Sequence, residues 1–99
     1  MKFSVTLKES GETLSFSRAT SAGVFSTIQD SLVYLAVEHV KKHRPKASFS
    51  LAETNFIKEF ESDLFFEFAH LKMESLSLYR YMMDTSGKTY TLNYKIERL

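Results

Sequence analysis

A chain of 99 residues with 43% hydrophobic side chains, including nine Phe and five Tyr, has enough apolar surface to fold as a single domain of residues 1–99 without disulfides or metal. Thirteen basic and twelve acidic side chains give a net charge of +1, which excludes a whole-molecule field that would attract nucleic acid or anionic lipid. The absence of cysteine excludes disulfides, thiol catalysis and Cys-ligated zinc, so we expect a reducing, cytoplasmic location.

Two short N-terminal segments alternate apolar with polar residues, which predicts a β-hairpin. The segment between them, residues 9–12, contains Gly11, which suits the left-handed backbone of a tight turn. The apolar positions on the inward side of the hairpin are Phe3, Val5, Leu7, Leu14 and Phe16.

A long helix is predicted next, from a cap at Thr20 or Ser21 to about His43. Basic residues suit the negative end of the helix dipole, and Pro45 prevents the helix from continuing. Apolar side chains recur along it at helical spacing, at Phe25, Ile28, Leu32, Leu35 and Val40.

A second helix is predicted from the capping box of residues 50–53 to about Met73. Its apolar residues are spaced three or four apart, at Ile57, Phe60, Leu64, Phe68 and Leu71. In the alternative interpretation, this helix ends near Asp63 and residues 64–73 form a strand. We favour the helix because a strand would place Phe66 on one face with His70 and Lys72.

The C-terminal region predicts a second hairpin, with strands at residues 76–83 and 89–98 joined by a turn at residues 84–88. Its inward positions are Leu76, Leu78, Met82, Tyr90, Leu92, Tyr94 and Ile96. The predicted order is therefore ββααββ. We expect an α+β fold in which the N- and C-terminal hairpins form a four-stranded antiparallel sheet packed on two antiparallel helices.

The predicted element lengths favour a homodimer. Helices of about 22 residues extend roughly 33 Å, whereas strands of about seven residues extend only about 23 Å. Apolar helix stripes that extend beyond the sheet need a cover, and a second copy of the chain supplies one.

The sequence carries no pattern typical of a catalytic or metal site. His39 and His43 lie four apart on one helical face, but Val40 stands where the zinc-protease motif has glutamate. His70 would lie roughly 30 Å away in an antiparallel helix pair. The acidic residues of the second helix fall on its polar side, and the three glycines form no nucleotide-binding motif. We expect no enzymatic activity, metal or cofactor.

The densest basic segment spans residues 39–46 and holds His39, Lys41, Lys42, His43, Arg44 and Lys46. It is either the solvated end of a helix or a polyanion-binding site. In the second case Tyr79 and Tyr81 would provide stacking platforms for bases. This is the alternative functional hypothesis, a small nucleic-acid-binding regulator.

The sheet face that points away from the helices is rich in hydroxyl and aromatic side chains. Such residues are common on solvent-facing sheets, and tyrosine is also enriched at protein interfaces. The leading hypothesis is a non-catalytic protein-interaction module of unknown partner, an inhibitor, adaptor or assembly factor. Proteins of phages or mobile elements are one setting among several that fit. The predicted interface residues are Thr6, Ser15, Tyr79, Tyr81, Thr91 and Asn93.

Overall fold

The computed structural model describes residues 1–49 and 74–99, which form a four-stranded antiparallel sheet and one helix. The elements in chain order are β1 (Lys2–Leu7), β2 (Thr13–Ser17), α1 (Ser21–His43), β3 (Ser75–Met83) and β4 (Thr89–Arg98). The α+β class and both predicted hairpins are confirmed. The predicted second helix, with its alternative strand at residues 64–73, lies outside the described residues.

The two hairpins join through the first and last strands, as expected from the sequence. The strand order is β2-β1-β4-β3, so β1 and β4 are central neighbours. Val5 is paired with Ile96 and Leu7 with Tyr94 across this central pair. The hairpin turns contain Gly11 and Gly87 at φ values of +72° and +89°, where a residue without a Cβ is favoured.

Helix α1 begins and ends where local signals place its ends. The Thr20 side chain accepts a hydrogen bond from the Gly23 backbone N–H at 3.0 Å, so Thr20 rather than Ser21 is the N-cap. At the other end the Arg44 N–H donates to the Val40 carbonyl at 2.8 Å, and Pro45 follows. The predicted end at His43 is confirmed.

The core lies between α1 and one face of the sheet. Every predicted inward position of the four strands is buried or half-buried. On α1, Val24 is fully buried whereas Phe25 is only half-buried. The buried stripe of the helix therefore begins at Val24 and not at the predicted Phe25. The buried apolar residues are Phe3, Val5, Leu7, Val24, Ile28, Leu32, Leu35, Ala36, Val40, Leu76, Leu78, Met82, Leu92, Tyr94 and Ile96.

β4 has the predicted bounds and β3 begins one residue earlier than predicted, and both strands exceed the seven residues assumed in the homodimer argument. Helix α1 has 23 residues and therefore extends about 34 Å, while β4 has ten residues and extends about 33 Å. Relative to β4, α1 therefore lacks the overhang that motivated the homodimer. Within residues 1–49 and 74–99, no helix combines the length and the hydropathy of a bilayer-spanning segment.

Candidate functional site

The outer face of the sheet, which points away from α1, carries two large exposed rings on β3. Tyr79 is 57% exposed and Tyr81 is 45% exposed. Their ring centroids are 5.7 Å apart with an interplanar angle of 77°, an edge-to-face arrangement. Neither phenolic hydroxyl has a hydrogen-bond partner among the described residues. The two rings therefore form a pre-arranged aromatic surface with free polar tips.

Strand geometry explains why these rings face outward. Leu78 and Met82 are buried against the core, and side chains alternate along a strand, so residues 79, 81 and 83 point to the other side. Met83 is exposed beside the two tyrosines and continues the apolar surface along β3. We use the name tyrosine patch for Tyr79, Tyr81 and Met83. In the described part of the chain, β3 is also an edge strand of the sheet.

The structure places two more predicted interface residues next to the tyrosine patch. Thr91 pairs with Tyr81 across β3 and β4, and Asn93 pairs with Tyr79. Thr91 is exposed. The Asn93 side-chain amide, however, donates to the Glu9 carboxylate at 2.6 Å, so it is held by a partner within the chain. Thr91 is thus the neighbour that is available for contact.

The other two predicted interface residues lie on the opposite side of the same face. Thr6 is half-buried on β1, and its hydroxyl lies 2.8 Å from the Thr13 hydroxyl. Ser15 is exposed on β2, which three strand spacings, about 14 Å, separate from β3. The sequence prediction therefore divides into an aromatic half on β3 and β4 and a hydroxyl half on β1 and β2.

The basic segment occupies the end of α1 and the loop that follows it. Lys41, Lys42 and His43 form the last turn of the helix, and Arg44 is its C-cap. These residues and Lys46 are exposed, whereas His39 is half-buried. The segment lies beside the turn between β3 and β4, which brings it into contact with residues 84–90.

A hydrogen-bonded chain joins the basic segment to this turn. An Arg44 guanidinium N–H donates to the Tyr90 hydroxyl at 3.3 Å, and that hydroxyl donates to Asp84 Oδ2 at 2.9 Å. The other carboxylate oxygen of Asp84 accepts from the Ser86 backbone N–H at 2.9 Å and from the Lys88 backbone N–H at 3.0 Å. Asp84 thus organises the turn and orients Tyr90 toward Arg44.

The ionisation of these groups follows from their contacts. The Ser86 hydroxyl, at 2.5 Å, is the main cause that lowers the pKa of Asp84 to about 2, and the Tyr90, Lys88 and Ser86 donors add to it against the opposing effect of burial. Burial, and then the hydrogen bond to Asp84, raise the pKa of Tyr90. At neutral pH the turn therefore contains a carboxylate and a neutral phenol.

The two histidines of the basic segment lie close together on α1. The ring centroids of His39 and His43 are 4.8 Å apart, as their four-residue spacing predicts. Among residues 1–49 and 74–99, no three His, Asp or Glu side chains meet in a group that could hold a metal ion. His70, the third histidine considered from the sequence, lies outside the described residues.

The tyrosine patch and the basic segment lie on different sides of the sheet. Tyr79 and Tyr81 are on the outer face, whereas Arg44 contacts Tyr90, whose strand alternates it onto the inner face with Leu92 and Tyr94. The nucleic-acid hypothesis needed basic residues and aromatic platforms on one surface. Within residues 1–49 and 74–99, these two parts lie on opposite sides of the sheet.

Two residues that contribute to these surfaces, Met83 and Asp84, were not predicted from the sequence, for different reasons. Met83 belongs to the tyrosine patch by simple alternation from Met82, so the signal was present in the pattern. The role of Asp84 was visible only in part, because an Asp before Ser and Gly predicts a turn but not its bond to Tyr90.

No family model matches this chain, and neither a curated protein nor a solved structure matches it.

Proposed function

We propose that this protein is a non-catalytic interaction module that binds a protein partner through the tyrosine patch, as an inhibitor, adaptor or assembly factor. The single observation that carries the proposal is the pair Tyr79 and Tyr81, two large side chains that are 57% and 45% exposed on a strand paired with β4 along its whole length. They offer apolar area and hydrogen-bonding tips that the described part of the chain leaves unused.

The physical advantage of this arrangement is pre-organisation. Binding orders side chains at a cost of roughly 0.5–1.5 kcal/mol for each flexible one. Tyr79 and Tyr81 already pack against each other at 5.7 Å on a strand that is paired with β4 along its whole length, so little freedom remains to be lost. Tyrosines held in this way are typical of the residues that dominate binding energy at interfaces.

The surroundings of the patch fit the rim of an interface. Thr91 supplies an exposed hydroxyl beside Tyr81. On the same face Lys95 and Glu97 form an exposed ion pair at 3.2 Å. A polar rim around an aromatic centre is the usual composition of interfaces between proteins that also exist separately.

The test is affinity capture with matched variants. The wild-type chain, a Tyr79→Ser/Tyr81→Ser double variant and a Tyr34→Ser control are immobilised, and native lysate, either untreated or treated with nuclease, is passed over each. Tyr34 is 52% exposed on α1, so the control removes a ring of similar exposure from another surface. We expect a protein recovered at fixed stoichiometry by the wild type and the control but not by the double variant.

Two outcomes would contradict this proposal. Equal recovery by the wild type and the double variant would show that the tyrosine patch is not the binding surface. Loss of all recovered protein on nuclease treatment would favour the nucleic-acid hypothesis, whose binding should also weaken steeply between about 50 and 200 mM salt.

The homodimer stays a proposal, which the similar lengths of α1 and β4 weaken, and it is tested with the same variants. Light scattering at micromolar concentration gives the mass of the wild type and of the double variant. A dimer that becomes a monomer when Tyr79 and Tyr81 are replaced would identify a second copy as the occupant of the patch. A monomeric wild type would show that the homodimer prediction is wrong and that the patch is open to another protein.

A further inference from the structure

A cavity of about 500 Å³ lies between the loop after α1 and the turn after β3. Its size falls within the range of small-molecule sites, roughly 300–1,000 Å³. It is on the opposite side of the sheet from the tyrosine patch and does not depend on the proposed function. The described residues that line it are His43, Arg44, Pro45, Lys46, Ala47, Ser48, Asp84, Thr85 and Ser86.

Two direct contacts hold the walls of the cavity together. The Thr85 backbone N–H donates to the Ser48 carbonyl at 2.9 Å, and the hydroxyls of the same two residues lie 2.6 Å apart. Hydrogen bonds from Arg44 to Tyr90 and from Tyr90 to Asp84 also connect the end of α1 to the turn after β3. The cavity is therefore formed by the fold itself, before any ligand binds.

The cationic groups at the cavity have donors to spare. A guanidinium has five N–H donors in a planar fork, and the Arg44 group uses one of them for Tyr90. The Lys46 ammonium has no hydrogen-bond or ion-pair partner in residues 1–49 and 74–99. A planar guanidinium and a flexible ammonium group on one wall of a cavity commonly bind an oxyanion together.

The acidic residue at the cavity does not cancel this charge. Asp84 is 3% exposed, and both of its carboxylate oxygens accept hydrogen bonds from the turn and from Tyr90. The end of α1 contributes only about half of one negative charge. The opposing positive charges are those of Arg44 and Lys46, which line the cavity, and those of Lys41 and Lys42 in the adjoining last turn of α1. The local field therefore favours an anion.

We propose that this cavity binds a phosphoryl group, held by the guanidinium of Arg44 and the ammonium of Lys46. A phosphoryl group offers a compact double charge and several acceptor oxygens, which a fork and an ammonium can bind together. The Ser48 and Thr85 hydroxyls share one hydrogen bond, so one proton of this pair is left to donate at the cavity, whereas Ser86 donates its own to Asp84. The same chemistry admits free phosphate or the phosphoryl end of a small molecule.

The test is a titration of the isotope-labelled full chain, followed by the backbone amide signals. Inorganic phosphate is added at constant ionic strength, with chloride removed to balance it. We expect saturable shifts at Lys46, Ser48 and Thr85. Lys46→Ala should weaken binding about tenfold, because it removes a charge-assisted contact. Arg44→Lys, which keeps the charge and loses the fork, should weaken it too.

The matched control is Lys2→Ala. Lys2 is exposed and pairs with Ser17, and its carbonyl accepts from Leu99 at 2.9 Å, at the end of β4 that is remote from the cavity. The Lys2→Ala variant should bind phosphate as tightly as the wild type does. Unsaturable shifts, or equal weakening in Lys2→Ala and Lys46→Ala, would overturn the proposal, because both describe a general ionic effect.

Two further ligands distinguish the sources of the phosphoryl group. Adenosine monophosphate that binds more tightly than phosphate, at the same amides, would identify a small phosphorylated molecule as the ligand. Equal or weaker binding would identify free phosphate. A single-stranded oligonucleotide that binds this segment while phosphate gives no saturable shift would overturn the proposal in favour of a nucleic-acid surface.

Discussion

Tyr94 of β4 donates its phenolic hydroxyl to the backbone carbonyl of Leu32 in α1 at a distance of 2.7 Å. Both side chains are fully buried, so this bond crosses the middle of the core. A hydrogen bond has a defined direction, whereas apolar contacts tolerate sliding. The Tyr94 hydroxyl therefore fixes the position of the helix along the sheet.

We expect Tyr94→Phe to lower the free energy of unfolding by about 1 kcal/mol, because one buried hydrogen bond is lost without a change of shape. Urea denaturation measures this difference. Tyr34→Phe is the control, since the exposed Tyr34 hydroxyl has no hydrogen-bond partner in the described part of the chain. A loss of similar size in the control would contradict the role assigned to Tyr94.

The same residue should control stability at alkaline pH. Burial, followed by the charge of Glu9, raises the pKa of Tyr94 far above its usual value of 10. Above pH 10 the unfolded chain loses this proton and the folded chain keeps it, so the free energy of unfolding falls as the pH rises. We expect the fall to be shallower in Tyr94→Phe. Denaturant midpoints at pH 9, 10 and 11 test this, and parallel curves would contradict it.

Asp84 should control how the free energy of unfolding changes at acidic pH. Its folded pKa of about 2 lies below its ordinary value of 3.8, so the folded state binds fewer protons than the unfolded state between these values. Its stabilising contribution is complete above about pH 4 and is lost as the pH falls toward 2. We expect the stability difference between the wild type and Asp84→Asn to shrink over that interval. Glu12→Gln, which removes an exposed carboxylate, should not reproduce this effect.

Two leucines allow a matched test of the core. Leu35 is 0% exposed and Leu99 is 66% exposed. We expect Leu35→Ala to lower the free energy of unfolding by about 2–5 kcal/mol, because it loses buried area and leaves a cavity. Leu99→Ala should change it by less than about 0.5 kcal/mol. Similar values for the two variants in urea denaturation would contradict the described packing of α1.

The helix cap gives a further test. Thr20→Ala removes the oxygen that accepts from the Gly23 N–H, and we expect a loss of about 1 kcal/mol. Thr20→Ser keeps an oxygen at that position and should restore most of the stability. If Thr20→Ser and Thr20→Ala were equally unstable, the loss would come from the missing methyl group rather than from the cap.

The parts of the fold that could be predicted from the sequence are those with local signals. The uninterrupted alternation of Tyr90, Leu92, Tyr94 and Ile96 predicted β4 at residues 89–98, the bounds that the structure shows. The end of α1 followed in the same way from basic residues and Pro45. The homodimer argument, by contrast, assumed strands of about seven residues, and the ten residues of β4 weaken that argument.

The tyrosine patch and the cavity beside Arg44 also differ in how far they could be predicted from the sequence. Tyr79 and Tyr81 were predicted to point outward by alternation, and the structure bears out that orientation. The cavity beside Arg44 was not predictable, because Arg44 and Tyr90 are distant in sequence and meet only through the packing of α1 on the sheet. A basic segment can be read from composition, whereas the wall that faces it depends on tertiary structure.

The central pairing of β1 with β4 has a consequence for synthesis in the cell. β4 is synthesised long after β1, so the backbone edge of β1 that pairs with β4 has no partner until β4 has emerged from the ribosome. The four-stranded sheet therefore cannot form while the residues between β1 and β4 are being added. During that interval the open edge of β1 is exposed to pairing with other chains.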